Sequence, residues 1–385
     1  MGCGKIQLLV TGGMDMEYSK KLKHHFRPKK GWINDPNGLV YFDGYYHIFY
    51  QHSPNFEVPW NEPMHWGHAR TKDFLEFEEL PVALYPDMPY DNGGCWSGTA
   101  IVKDDILYLF YASIYTPEGT DERIQQISVA YSKDGINFTK YEKNPILTKA
   151  PTDGGPDFRD PAVVLINGEY YMVIATGNKE TETGRLLLYK GENMFDWEYK
   201  GVLAQWENCI FAECPSFVSA EDGKYLLSAT VCPTKGNGNR YFSIMCGTFD
   251  GSKFTIETQS ILDKGPDQYA GQMFQDHKGR NILITWAPGW RYGGYAKTDL
   301  GHMSVPRHIT VKDGKIYGYP VKEVWHLLKG EDDSVKMTDE GFVIERTGRE
   351  PVVYKGKVED IKIIRDEYLT EVFVNGGKEV YTALL

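Results

Sequence analysis

Three acidic residues stand in short, proline-containing segments: Asp35 in WINDPNG, Asp160 in FRDP and Glu213 in AECP. Drawn together in a narrow funnel, such carboxylates raise at least one pKa by like-charge proximity and partial desolvation, which suits acid/base work near neutral pH. Glycosidic bonds are broken by this kind of arrangement. One carboxylic acid protonates the leaving oxygen, while a carboxylate attacks the anomeric carbon or activates water. A third acid can hold substrate hydroxyls. Taken singly, each has a structural alternative. Asp35 can order its own turn, Asp160 can pair with Arg159, and Glu213, after Ile210, Phe211 and Ala212, needs a partner if it is buried.

The elements that would bring the acids together are visible as an internal repeat. An apolar strand, a polar turn and an aromatic-rich strand recur as LVYFDGYYHIFY, AIVKDDILYLFY, VVLINGEYYMVI, SFVSAEDGKYLL and MFQDHKGRNILI. With Asp43, Asp104, Asn167, Asp222 and His277 as turn markers, the intervals are 61, 63, 55 and 55 residues. A weaker signal follows four of the hairpins, in KDFLEFEEL, SKDGINFTKY, ENMFDWEYK and FDGSKFTIE, and reads as an outer strand pair. Units of roughly 60 residues with about four strands predict the blades of a propeller. The alternative is a β-sandwich with coincidental turn spacing.

In a propeller the first strand of every blade lines the axis, and the openings of these strands converge at one end. Seven to nine residues before the turn markers lie Asp35, Ser97, Asp160, Glu213 and Tyr269. Acids at matching phase in the first, third and fourth units are hard to obtain from independent loop requirements. Trp32, Trp60, Trp66, Trp96 and Trp286 fall near the same rim and are expected to offer faces to a sugar ring.

Composition agrees. Of 385 residues, 26 are Tyr, 18 Phe, 9 Trp, 40 Gly and 20 Pro, which favours short twisted strands and tight turns over helices. A net charge of -11 makes nucleic acid a poor partner. The six Cys form no CxxC pair and read as small buried hydrophobes rather than a disulfide or zinc framework. The apolar run Ile6 to Val10 is too short for a signal-peptide core or a membrane span, so a cytoplasmic location is expected, with no membrane partner.

The expected organisation is all-β: an N-terminal extension (1–23), a five-bladed β-propeller (24–320), a helical linker (321–335) and an abbreviated β-sandwich-like module (336–385). In PVKEVWHLLKG, the spacing of Val321, Val324, Leu327 and Leu328 predicts a two-turn amphipathic helix stopped by Gly330. Four or five short strands follow. They bury too little to stand alone, so they are expected to pack on the propeller or on a second copy of the chain, making a homo-oligomer conceivable.

WINDPNG, FRDP and ECP, in this order, resemble the signature blocks of glycoside hydrolase family 32, the β-fructosidases of the invertase, sucrose-6-phosphate hydrolase, inulinase and levanase group. Gln51, Trp60, HWGHA (65–69), WSGT (96–99), DKGPDQYAGQ (263–272) and MSVPRHI (303–309) add to the likeness, which covers about residues 24–328. The resemblance implies a retaining hydrolase of terminal β-D-fructofuranosides. Asp35 would be nucleophile, Glu213 general acid/base and Asp160 the transition-state stabiliser. Asn34, Gln51, Trp60, Ser97, Arg159 and Asp267 match positions around the fructose, and Trp96 and Trp286 are added from the rim. No cofactor or metal is implied. Two departures stand out. Asp267-Gln268-Tyr269 replaces the common aspartate, phenylalanine, tyrosine, and the sandwich is shortened, which would leave a strand edge to be covered.

His65 and His68 raise a metal site, but strand or turn backbone at that spacing does not give the same-face geometry of a helix. Cys214 is either a packed small side chain or a tuner of Glu213. Lys29 and Lys30 are either solvated or meet an anionic group such as a 6-phosphate. Hydrolysis, fructosyl transfer by the same carboxylates and non-catalytic sugar binding are the three functional classes. The last would predict a replaced acid, and none is replaced.

Overall fold

The computed structural model describes residues 22–56, 62–234, 240–287 and 301–385. Five antiparallel sheets follow one another along the chain. The first holds β1 (Trp32–Phe42), β2 (Tyr45–Ser53), β3 (His65–Thr71) and β4 (Glu78–Leu84). The second holds β5 (Gly94–Lys103), β6 (Ile106–Tyr115), β7 (Ile124–Ser132) and β8 (Thr139–Lys140). The third holds β9 (Asp157–Ile166), β10 (Glu169–Asn178), β11 (Thr183–Gly191) and β12 (Trp197–Glu207). The fourth holds β13 (Cys209–Ser219), β14 (Tyr225–Pro233), β15 (Tyr241–Phe249) and β16 (Phe254–Ile261). The fifth holds β17 (Tyr269–Gln275), β18 (Asn281–Ala287), β19 (His302–Met303), β20 (Arg307–Lys312) and β21 (Lys315–Pro320).

The repeat read from sequence is the inner hairpin of each sheet. Three of its turns are two-residue loops with both central residues at positive φ: Asp43-Gly44, Asp104-Asp105 and Asn167-Gly168. That geometry matches strand twist and explains the Asp, Asn and Gly. The weaker signal is the turn from third to fourth strand. Asp73, Asp134, Asn193 and Asp250 each accept backbone N–H bonds two and three residues ahead through Oδ1.

Apolar side chains lie between sheets rather than within one centre. Phe49, Trp66, Leu107 and Tyr111 join the first sheet to the second; Phe110, Phe158 and Ile174 join the second to the third; Ala162, Leu186 and Phe217 join the third to the fourth. A larger cluster with Leu39, Ile48, Ile244, Phe274 and Ile284 joins the fourth, fifth and first. The ring therefore closes into a β-propeller. At its axis the Gln272 side chain accepts from Leu39 N at 3.0 Å and donates to Gly98 O at 2.9 Å, tying three inner strands together.

Lys322–Leu327 forms two turns of 3-10 helix in place of the amphipathic α-helix that the spacing predicts, and it stops before Gly330. Val321 and Val324 are buried while Leu327 and Leu328 are only partly so; burial of two valines three residues apart suits the three-residue period of a short 3-10 helix. Six strands follow: β22 (Val335–Thr338), β23 (Gly341–Ile344) and β24 (Val352–Lys355) in one sheet, β25 (Ile361–Asp366), β26 (Leu369–Val374) and β27 (Glu379–Leu384) in another. Both edges of the second sheet meet earlier parts of the chain. Val380 exchanges backbone bonds with Leu262 and Lys264, and Ile363 does so with Lys329.

A buried ion network welds this module to the propeller. Arg307 on β20 donates to Asp263 at 2.7 Å and to Glu371 at 2.5 Å, and His25 lies between Asp366 at 3.0 Å and Glu371 at 2.9 Å. Among the described residues, no helix is long and apolar enough to cross a membrane. Cys95, Cys209, Cys214, Cys232 and Cys246 are free and buried.

Candidate active site

Every inner strand opens with a break in register. The shifts fall between Ile33 and Pro36 on β1, Trp96 and Gly98 on β5, Arg159 and Ala162 on β9 (opposite Ala175 and Val173 of β10), Glu213 and Ser216 on β13, and Tyr269 and Gln272 on β17. A bulge re-aims the side chains beside it and interrupts the ladder. Proline, which has no N–H to offer, is tolerated there, and Pro36, Pro161 and Pro215 follow Asp35, Asp160 and Cys214 directly. Asp160, Cys214 and Ala270 take positive φ at these bulges. Each such residue costs roughly 1–3 kcal/mol, a strain concentrated at one end of the ring.

The bulges gather the three acids. Asp35 Oδ2 accepts from Ser97 Oγ at 2.9 Å and from Cys214 Sγ at 3.5 Å, and Oδ1 accepts from Asn34 Nδ2 at 3.1 Å. Asn34 is itself fixed by Trp32 Nε1 at 2.8 Å. Asp160 Oδ2 accepts from Cys214 N at 2.8 Å. Cys214 thus touches Asp35 through sulfur and Asp160 through its amide. Glu213 Oε1 accepts from Arg159 Nη2 at 2.9 Å, and Oε2 accepts from the Tyr269 hydroxyl. Arg240 Nη1 donates to that same hydroxyl and lies 3.9 Å from Glu213 Oε2. Asp157 holds the other side of Arg159 at 2.7 Å.

The carboxyls are driven apart electrostatically. Burial, then the Glu213 charge, raises Asp35, against the donors Asn34, Ser97 and Cys214. Burial lifts Asp160 to about 7; Arg159 opposes this and the Glu213 charge adds to it. Burial alone would lift Glu213 too, but Arg159 and Arg240, with the Tyr269 hydroxyl, hold it below the usual carboxylate range. The environment therefore favours the charged form of Glu213 and the protonated forms of Asp35 and Asp160. Two carboxyls with separated affinities beside a third can deliver a proton and a nucleophile to one substrate.

Several other expected contacts resolve differently. Gln51 on β2 lies opposite the Asn34–Asp35 bulge, buried, with Nε2 donating to Cys95 O at 3.0 Å. Trp96 is half-buried, its ring 5.7 Å from the Arg123 guanidinium. Trp286 is fully buried, edge-on to Trp32 and Tyr269, so it supports the floor instead of offering a face. Trp32, at the opening of β1, and Trp66, on β3, are buried as well, their indoles filling apolar space between sheets. Asp267 is fully buried. Its Oδ2 takes Arg346 at 3.0 Å and Leu384 N at 2.8 Å, so the carboxylate is engaged with the C-terminal module. Trp60 lies outside the described residues.

Arg240 and Asp157 escaped the sequence reading. Arg240 follows GNGN, a stretch without a motif, and only the fold brings it to Glu213. His68 bonds His47 at 2.9 Å in a stacked pair, and no group of three or more His, Cys, Asp or Glu suited to a metal ion occurs among the described residues.

Comparison with known proteins follows the same lines. Residues 25–320 match the model described as the glycosyl hydrolases family 32 N-terminal domain. A sucrose-6-phosphate hydrolase of Zymomonas mobilis is 34% identical over 361 residues, spanning 89% of this chain and 69% of the relative. A raffinose invertase of Escherichia coli is 35% identical over 322 residues, spanning 79% of this chain and 65% of the relative. Among solved structures, a family 32 β-fructofuranosidase of Bombyx mori, captured as a mutant in complex with sucrose, superposes with a TM-score of 0.81 at 26% identity, covering 95% of this chain and 89% of its own.

Proposed function

The chain belongs to glycosyl hydrolase family 32, and from that premise we propose that it is a retaining β-fructofuranosidase in which Asp35 is nucleophile, Glu213 general acid/base and Asp160 the holder of fructose hydroxyls. The observation that carries this reading is the bridge at Cys214, which ties Asp35 and Asp160 to the residue next to Glu213. In the first step Asp35 attacks the fructosyl anomeric carbon and the bond to the leaving oxygen breaks as Glu213 gives that oxygen a proton. In the second, Glu213 takes a proton from water, whose oxygen displaces Asp35.

The resting charge order runs against the first step, so substrate must invert it. A leaving oxygen competes with the Tyr269 hydroxyl for Glu213 Oε2, removing one donor that keeps Glu213 acidic. Positive charge growing at the anomeric carbon favours ionised Asp35. One proton shared among coupled carboxyls then moves to where it is used. Ser97 and Asn34 orient the nucleophile meanwhile, which lowers the entropy cost of attack.

A cytoplasmic location belongs to the same proposal, supported by five free buried cysteines. The test is product analysis with sucrose, sucrose 6-phosphate and an inulin-type oligosaccharide, comparing wild type with Asp35→Ala and Glu213→Gln. Fructose is expected from at least one substrate and its release should be lost in both variants. Turnover unchanged in either variant removes the mechanism. Failure of wild type on all three favours sugar binding without catalysis.

A further inference from the structure

Arg159 carries more donors than Glu213 can take. A guanidinium has several N–H groups on a long, rotatable stem, and here Nη2 reaches Glu213 Oε1 at 2.9 Å. Where its plane sits depends on what holds the far side. Nη1 donates to Asp157 Oδ1 at 2.7 Å and to Gln125 Oε1 at 3.3 Å, and the guanidinium carbon lies 4.8 Å from the centre of the Phe211 ring. The holders come from three elements: Gln125 from β7 of the second sheet, Asp157 from the opening of β9, and Phe211 from β13.

Gln125 does two things with one oxygen. Its Oε1 also accepts from Phe158 N at 2.9 Å, so the second sheet holds both the Arg159 head group and the backbone immediately before Arg159 and Asp160. Asp157 differs in bringing charge, and it competes with Glu213 for the same cation. Both residues are half-buried, so substitutions there leave the core intact. The other titratable groups facing Glu213 are Arg240, Tyr269, Asp35, Asp160 and the Cys214 and Cys232 thiols. They belong to the first, third, fourth and fifth sheets; the second sheet contributes through Gln125.

We propose that Gln125 is a positioning residue for the general acid/base: it clamps Arg159 Nη1 and the opening of β9 from the neighbouring sheet, so that Nη2 stays aimed at Glu213 Oε1, while Asp157 sets how much of the Arg159 charge Glu213 receives. The inference rests on the fructosidase reading and adds to it two residues that act through Arg159.

The experiment uses Gln125→Leu, which removes the acceptor at similar size, Gln125→Glu, which keeps it and adds charge, and Asp157→Asn, which keeps an acceptor and removes charge. Two kinds of substrate separate the roles: sucrose or sucrose 6-phosphate, whose leaving oxygen needs a proton, and an aryl fructoside with an acidic phenol, whose first step does not. In Gln125→Leu, kcat on the disaccharide should fall about tenfold, between the worth of one hydrogen bond and the cost of an ångström of misplacement, with KM and the phenol burst changed less than about twofold. Gln125→Glu should recover kcat to within about threefold of wild type, since the acceptor is kept. The basic limb of kcat/KM should move up in Gln125→Glu and down in Asp157→Asn, because negative charge beside Arg159 raises the proton affinity of Glu213 and its loss lowers it. Equal falls in the burst and in disaccharide kcat, or a lower Tm with kcat unchanged, overturn the positioning role, as do basic limbs that stay in place or move together. Wild type releasing fructose from none of the compounds sinks the fructosidase reading, whereas an active wild type with any of those results sinks only the clamp.

Discussion

Arg159 crosses from the third sheet to the fourth and places Nη2 2.9 Å from Glu213 Oε1, while its neighbour Asp160 faces the same carboxylate. Arg159 thus opposes the upward push of burial at both Glu213 and Asp160. Replacing Arg159 with Gln removes the largest influence holding Glu213 down. Glu213 must be protonated to act as acid, so the basic limb of kcat/KM should move to higher pH. Loss of a buried cation at the reacting centre should also cost roughly 100-fold in kcat. A pH profile with the basic limb unmoved would separate Arg159 from Glu213 function.

Glu213→Gln keeps shape but has no proton to give. Sucrose turnover should drop by about 10²–10⁴-fold, the usual worth of general acid/base help. An aryl fructoside with an acidic phenol as leaving group needs no protonation in the first step. Its burst of phenol should survive, followed by slow release of fructose. Equal loss of the burst and of sucrose hydrolysis would assign Glu213 some other part.

Ser97 and Cys214 both donate to Asp35 Oδ2, at 2.9 Å and 3.5 Å, and both lower an affinity that burial has raised. A nucleophile must be ionised, so removing a donor raises its pKa and moves the acidic limb of the pH profile upward. Ser97→Ala should show the larger displacement, because an O–H donor at close range outweighs a thiol. Cys214→Ala should shift the limb less, since its amide still bonds Asp160. Identical acidic limbs in wild type and Ser97→Ala would mean that the hydroxyl does not tune Asp35.

The hairpin repeat and the three acids were legible because both obey local rules. Asp43-Gly44 and Asn167-Gly168 sit where positive φ is required, and repeat phase converts position along the chain into position around a ring. What failed was whatever depends on which side of a bulge a large ring falls. Trp66 and Trp286 are aromatic residues near the right strands, yet they pack between blades, and sequence carries no sign of that difference. Asp267 lies two residues before Tyr269 but is tied to Arg346, a partner 79 positions away. The segment 321–328 has helical spacing, but it forms two 3-10 turns instead of an α-helix. Prolines 36, 161 and 215 were signals of the bulges that spacing alone did not exploit.

The weld between propeller and C-terminal module makes a separate prediction about stability. Burial would lower the His25 pKa, but hydrogen bonds and charge from Asp366 and Glu371 carry it up to about 9 from 6.5. A group whose folded pKa is raised stabilises fully below its unfolded value and loses that contribution as pH rises through the folded one. The weld should therefore weaken between about pH 6.5 and 9. Glu371 runs the other way. Arg307 and His25 outweigh its burial and hold it at about 2 against 4.5, so its contribution is present above 4.5 and fades as pH falls through about 2. Glu371→Gln leaves Arg307 buried with one fewer countercharge and should cost about 3–5 kcal/mol, the usual penalty for breaking a buried pair. His25→Gln should flatten the decline of Tm on the alkaline side while lowering Tm near neutrality. Thermal unfolding from pH 6 to 10 checks both, and wild-type and His25→Gln curves that run parallel across that window would show that His25 carries no proton-linked share of the weld.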